Sequence, residues 1–215
     1  MGAPRFIVLE GVEGSGKSTQ IRLLDAWLES LGIGHVRARE PGGTRVGEEI
    51  RQVLLHGDHG PMLAETELLL MLAARAAFVR EVVRPAMNAG RTVLADRFDF
   101  STFAYQGYGR GLDLSEVREL NRFATGGLEP DLVVVLDLPA EEGRRRQARE
   151  GKTLDRIERA GEDFLERVRE GYRELAVAEG HARMIDARGT PEEVHARLRS
   201  LLETSFPETF HGSPV

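Results

Sequence analysis

Phe6-Ile7-Val8-Leu9-Glu10-Gly11-Val12-Glu13-Gly14-Ser15-Gly16-Lys17-Ser18 is the stretch that decides the architecture of this chain. Phe6 to Leu9 are apolar at successive positions, as in a strand buried on both faces. Gly11 to Ser18 then satisfy the spacing G-x-x-x-x-G-K-[ST] in full. Gly14 and Gly16 let the backbone curl so that successive N–H groups converge on one point. A helix beginning near Lys17 aims its positive end at that point. Ile21, Leu24, Leu28 and Leu31 recur at helical spacing and stop at Gly32, a natural C-terminal residue. Strand, glycine loop and amphipathic helix together describe a cradle for nucleotide phosphates. Its ATP-binding residues are Gly11, Val12, Glu13, Gly14, Ser15, Gly16, Lys17, Ser18 and Thr19. Lys17 can reach the β- and γ-phosphates, and Ser18 can supply an oxygen to Mg²⁺. The strand before and the helix after separate this motif from a chance match in a chain with 24 glycines.

Four further apolar runs read as strands: Val36–Ala38, Thr92–Ala95, Leu132–Leu136 and Met184–Ile185. Helical patterns lie between them. The longest runs from about Glu65 towards Asn88, with Pro85 expected to bend or end it. Thr190-Pro191-Glu192-Glu193 is a helix start with a capping box, and Val194, Leu198 and Leu201 supply the buried face. Strands alternating with helices predict an α/β fold, a five-stranded parallel sheet with helices on both faces. The 215 residues suit one domain, expected over residues 1–204, with an arginine-rich lid at about 142–158. The tail at 205–215, with Pro207, Gly212 and Pro214, is expected to be poorly ordered.

Composition narrows the function. There is no cysteine, so a disulfide framework, a zinc–thiolate site and a thiol nucleophile are excluded. A net charge of −6 disfavours non-specific binding to nucleic acid or anionic membrane. No apolar run reaches membrane-spanning length, and Ala3-Pro4-Arg5 does not complete a myristoylation start. A soluble cytoplasmic protein is the expectation. A regulatory GTPase would be expected to carry an Asn-Lys-x-Asp segment, and none occurs.

Asp96-Arg97 directly follows a buried strand, at the end where ligands bind in such sheets. Arg97 can grip phosphate oxygens in two-pronged fashion. Arg75 sits in a long apolar helix, and a buried arginine needs acceptors. These residues belong to segments that resemble the thymidylate kinase family. The segments are Arg39-Glu40-Pro41-Gly42-Gly43-Thr44, Ala73-Ala74-Arg75, Asp96-Arg97-Phe98, Ser101 to Gly107 and Asp155-Arg156-Ile157-Glu158. With the phosphate loop, the resemblance runs from Phe6 to about Ala176.

The resemblance implies a P-loop nucleoside monophosphate kinase, a homodimer that passes the γ-phosphoryl of ATP to dTMP with Mg²⁺. The partners it implies are ATP and dTMP, with no nucleic acid and no membrane. Lys17, Arg97, Glu13 and a lid arginine are then catalytic. The matching arginine, Arg97, holds the acceptor phosphate. Asp96, with Ser18, lies near the metal. Glu13 positions Arg97 or touches the sugar. Arg75 faces a thymine carbonyl, Thr102 reads the ring edge, Tyr105 crowds a ribose 2′-hydroxyl with Gln106 as a hydrogen-bonding neighbour, and Arg51 neighbours the acceptor phosphate. Met71 stands where the family usually stacks a Phe on thymine, with Phe98, Phe100 or Phe103 as compensating aromatics. Apolar stretches around Leu68 to Met71 or Leu120 would serve a dimer interface.

Arg144, Arg145, Arg146, Arg149, Lys152, Arg156 and Arg159 form the most basic stretch. Phosphoryl transfer needs positive groups around the migrating phosphoryl. One branch of the resembled family carries an Arg at the position of Gly14. The other has Gly there and a catalytic arginine in the lid. This chain follows the second pattern, with Arg149 the first choice, ahead of Arg145 and Arg146. Arg156 is expected to brace the lid or line the adenine side.

Overall fold

The computed structural model describes residues 2–56, 60, 62–149 and 155–210. The five anticipated runs become β1 (Phe6–Glu10), β2 (His35–Arg39), β3 (Thr92–Asp96), β4 (Leu132–Asp137) and β5 (Ala182–Asp186). They form one parallel sheet in the order β2-β3-β1-β4-β5. β1 is buried at every position, which requires cover on both faces. One cover is α1 (Lys17–Ser30), which packs on β1, β2 and β3 and on α9 (Pro191–Ser205). The other is α8 (Glu162–Ala178), which packs on β4, β5 and the stretch Phe103–Gly109.

The register aligns the carboxyl ends of the strands. Leu9 lies opposite Asp96, and Arg97 N donates to Leu9 O at 2.9 Å. The chain leaves β1 through the glycine loop and β3 through Asp96-Arg97, so the two motifs sit side by side. Ile21, Leu24 and Leu28 are buried beneath α1, each contributing about 1.5–3 kcal/mol, and they hold the start of that helix against the sheet. Gly32 ends it as expected, with φ 68° and the Ile33 N–H returning to Leu28 O at 3.0 Å.

The long pattern from Glu65 is three segments in one rod. α3 (Ala64–Phe78) passes through a π-helical turn, Val79–Val83, into α4 (Arg84–Asn88). A proline ring clashes with the carbonyl four residues back, and the wider turn places Pro85 in the first turn of α4. A similar junction joins α5 (Asp99–Thr102) to the π-helical stretch Phe103–Gly109. The remaining helices are α2 (Arg45–His56), α6 (Leu114–Thr125), α7 (Ala140–Arg149) and α10 (Pro207–Phe210).

Thr190 caps α9 as its sequence requires: its Oγ1 accepts from Glu193 N, while Glu193 Oε2 accepts from Thr190 N. The tail needs correction up to Phe210. Ser205 closes α9, α10 follows, and Phe210 is 1% exposed with its ring stacked on Trp27 at 5.6 Å. One aromatic in the right turn outweighs the polar composition that suggested disorder. The rest of the tail, 211–215, lies outside the described residues.

Candidate active site

α1 begins without a side-chain cap. Gly16 is the N-cap at φ 93°, and no acidic residue occupies the first turn. The first N–H groups of the helix therefore keep their donors for an anion. Gly14, at φ 73°, has a second constraint: a Cβ there would lie 2.2 Å from Gly143 O of α7. The glycine loop and the lid helix touch backbone to backbone, so an arginine side chain has no room at position 14 with α7 in this place. Lys17 Nζ folds onto the loop, donating to Gly11 O and Val12 O, both at 2.9 Å. Burial, and then Arg97, lower its pKa to about 8, against the opposing pull of Asp96, Glu13 and Glu10. Ser18 Oγ donates to Asp96 Oδ2 at 2.8 Å, which brings the two expected metal-side residues together.

Arg97 is the one described non-glycine residue with positive φ, at 75°. That conformation is strained for a long side chain and turns the guanidinium back over the loop. Its Nη2 donates to Glu13 Oε1 at 2.7 Å and to Tyr105 OH at 3.2 Å. Its Nη1 donates to Ser101 Oγ, Tyr172 OH and Gly11 O. Glu13 is thus the carboxylate paired with Arg97. Burial works to raise the Glu13 pKa, but Arg97, Lys17 and the Tyr105 hydroxyl outweigh it and hold the carboxylate below its usual range. Tyr105 donates to both oxygens of Glu13, at 2.7 and 2.6 Å. Its hydroxyl is committed there.

Glu10 supports this arrangement from below, fully buried. It accepts from Phe98 N at 2.7 Å, Ser101 N at 3.0 Å, Ser101 Oγ at 2.6 Å and Tyr172 OH at 2.8 Å. The sequence reading missed it, although a carboxylate closing an apolar run was a usable signal. Nothing local marked Tyr172, which arrives from α8.

A cavity of about 290 Å³ opens between the loop and these residues. Lys17, Ser18, Thr19, Asp96 and Arg97 line it together with Arg51, Met71, Arg75, Thr102, Tyr105 and Gln106. Of the three aromatics considered beside Met71, Phe98 reaches the wall and Phe100 and Phe103 do not. Arg75, 2% exposed, spends four N–H groups on the protein. Nε donates to Glu40 Oε2 at 2.8 Å, Nη1 to Thr102 Oγ1 at 2.8 Å and Asn121 Oδ1 at 2.9 Å, and Nη2 to Phe98 O at 2.7 Å. One Nη2 proton is left for a ligand carbonyl. Burial raises Glu40 and Asp99, the carboxyls around Arg75, to about 7 each, with Arg75 pulling the other way. Arg51 donates to Pro41 O at 2.9 Å, which fixes it in the rim.

The lid arginines divide. Arg144 pairs with Glu162 and Arg145 with Glu141. Arg146 pairs with Glu142 at 2.8 Å and donates to Ala187 O at 3.2 Å. Arg149 lies exposed at the end of α7 and does not line the cavity. Lys152 lies outside the described residues. Arg156 donates to Leu54 O at 2.8 Å and Glu67 Oε2 at 2.6 Å, which ties the segment after the lid helix to α2 and α3.

An uncapped helix with a glycine loop for one set of phosphates, and a strained arginine facing the same cavity, define a P-loop phosphotransferase with adjoining donor and acceptor sites. Comparison with known proteins narrows the class. The thymidylate kinase family profile matches residues 9–198. A thymidylate kinase of Pelotomaculum thermopropionicum is 51% identical over 210 residues, covering 97% of each chain. That of Desulforudis audaxviator is 48% identical over 215 residues, covering 97% of this chain and 96% of the relative. The crystal structure of thymidylate kinase from Ehrlichia chaffeensis superposes with a TM-score of 0.77 at 30% identity, over 94% of this chain and 100% of that one. The chain belongs to the thymidylate kinase family.

Proposed function

We infer that the chain transfers the γ-phosphoryl of ATP to dTMP, giving ADP and dTDP, a step towards dTTP. One observation carries this reading: a single cavity is lined at once by the phosphate loop, by Arg97 and by the wall of Met71, Arg75, Thr102 and Gln106. A donor and an acceptor nucleotide can meet there without a covalent enzyme intermediate.

The acceptor phosphate is already a nucleophile at neutral pH, so no strong general base is required. Lys17 exchanges its two loop carbonyls for β- and γ-phosphate oxygens. Arg97, braced by Glu13, holds the acceptor phosphate in line. Ser18 and Asp96 offer the hard oxygen ligands that Mg²⁺ prefers, and no cluster of three or more His, Cys, Asp or Glu forms among the described residues, so phosphates and waters would complete the shell. Bound Mg²⁺ supplies charge neutralisation across the β- and γ-phosphates. We assign Arg149 as the lid arginine at the γ-phosphoryl, because Arg144, Arg145 and Arg146 are each paired with a glutamate.

We also propose a homodimer and a cytoplasmic location. Leu68 points into the core, but Leu69, Leu120 and Phe123 are exposed on α3 and α6, which pack together. The 84% exposure of Phe123 is what a subunit interface would relieve. A coupled assay across dTMP, dUMP, dCMP, dGMP and thymidine tests the acceptor. Preference for any other acceptor by more than about tenfold, or about 1.4 kcal/mol, overturns the assignment to dTMP.

A further inference from the structure

Glu67 has no exposed surface and does not line the cavity, yet three side chains end on it. Gln106 Nε2 donates to its Oε1 at 2.8 Å. Arg110 reaches Oε1 with Nε at 3.2 Å and Oε2 with Nη2 at 3.1 Å. Arg156 Nη2 donates to Oε2 at 2.6 Å. Burial opposes the charge of Glu67, but Arg110, Gln106 and Arg156 outweigh it and hold its pKa below the usual range. An ionised carboxylate only accepts. Gln106 therefore presents its NH₂ to Glu67, and its Oε1 takes no part in that contact. Among the described residues nothing donates to that oxygen, and it is not among the sealed polar atoms that lack a partner. Gln106 lines the cavity, and with its NH₂ bound to Glu67 this oxygen is the acceptor it has left to offer there.

We propose that Glu67 is a specificity-determining positioning residue: it fixes Gln106 as a hydrogen-bond acceptor towards the base, and so selects a base whose facing edge carries an N–H. The inference rests on the reading that dTMP occupies this wall. Thymine offers N3–H between two carbonyl oxygens. Cytosine offers an unprotonated N3, whose lone pair would face the lone pairs of Gln106 Oε1. The neighbouring groups complement the two carbonyls. Thr102 Oγ1 already accepts from Arg75, so its hydroxyl proton is the group it can offer, and Arg75 keeps one Nη2 proton. Arg156 adds a second effect. Anchored to Glu67 and Leu54 O, it sets its neighbours Asp155 and Ile157 in the cavity wall.

The test is the kinetics of wild type and Glu67→Gln with dTMP and dCMP, well below the melting temperature of either protein. A glutamine at position 67 lets the Gln106 amide take either orientation. The expected result is a KM for dTMP raised about tenfold and a dTMP-over-dCMP preference lowered about tenfold, with kcat and the ATP KM within about threefold of wild type. A folded Glu67→Gln enzyme with unchanged preference overturns the proposal. If that variant does not fold, side-chain amide NMR on wild type decides. Gln106 NH₂ protons protected from exchange, with and without dTMP, support the proposal, and exchange at the rate of an exposed amide overturns it. A wild-type enzyme that does not phosphorylate dTMP overturns the functional reading instead.

Discussion

Gly143→Ala sets two physical effects against each other. Position 143 lies inside α7 with ordinary helical φ, so alanine should favour the helix by about 1 kcal/mol. Its Cβ, however, would stand 2.3 Å from Glu13 O in the glycine loop, about 1 Å short of ordinary contact. The obstacle is backbone on both sides, so neither can turn aside as a flexible side chain would. Overpacking of this kind costs about 1–3 kcal/mol. The net change is a destabilisation of roughly 0–2 kcal/mol, a fall in Tm of no more than about 8 °C for a chain of this size. The larger consequence is geometric, because α7 must retreat from the loop by about 1 Å. Misplacement on that scale costs up to about 10²-fold in rate. Steady-state kinetics with ATP and dTMP should show kcat down about 10- to 100-fold, with the dTMP KM within about threefold, since the acceptor wall is untouched. A kcat within twofold of wild type, together with a raised Tm, would refute the claim that loop and lid helix are held in register by this contact.

Lys17 gives a pH-dependent prediction. Its pKa of about 8 in this structure lies below the usual 10.5, and phosphates arriving beside it must raise it again. At about pH 8.5 ATP binding should take up protons, seen by calorimetry in buffers of different ionisation enthalpy, and at pH 6.5, where the lysine is charged in both states, Lys17 should contribute none. Phe210→Ala should lower stability by about 3–5 kcal/mol in chemical denaturation, because the ring is enclosed against Trp27. Loss below about 1 kcal/mol would mean the C-terminal turn does not dock. Arg149→Ala should lower kcat by about 10²-fold or more while circular dichroism stays native, and an unchanged kcat removes it from the mechanism.

The sheet was legible because its strands are nearly uniform apolar runs, and such runs in alternation with helices leave few arrangements. The phosphate loop was legible because its function is written in backbone-permissive residues at fixed spacing. Side-chain partners were less so. The sequence marked Arg75 as buried and in need of acceptors, but Asn121 and Glu40 come from elements 46 and 35 positions away. Tyr105 was visible as an aromatic near the site, whereas its bond to Glu13 depends on how α5 and its π-helical continuation turn over the loop. Glu67 reads as one more charge near the start of a helix, because only the fold brings Gln106, Arg110 and Arg156 to it.

The structure of the enzyme with ADP and dTMP bound tests most directly whether one cavity holds two aligned anions. The expected result is ADP β-phosphate on Lys17 and the loop amides, and the dTMP phosphate within hydrogen-bond distance of an Arg97 nitrogen, between Glu13 and Asp96. A dTMP phosphate lodged elsewhere, with Arg97 still engaged only with its present partners Gly11, Glu13, Ser101, Tyr105 and Tyr172, would contradict it.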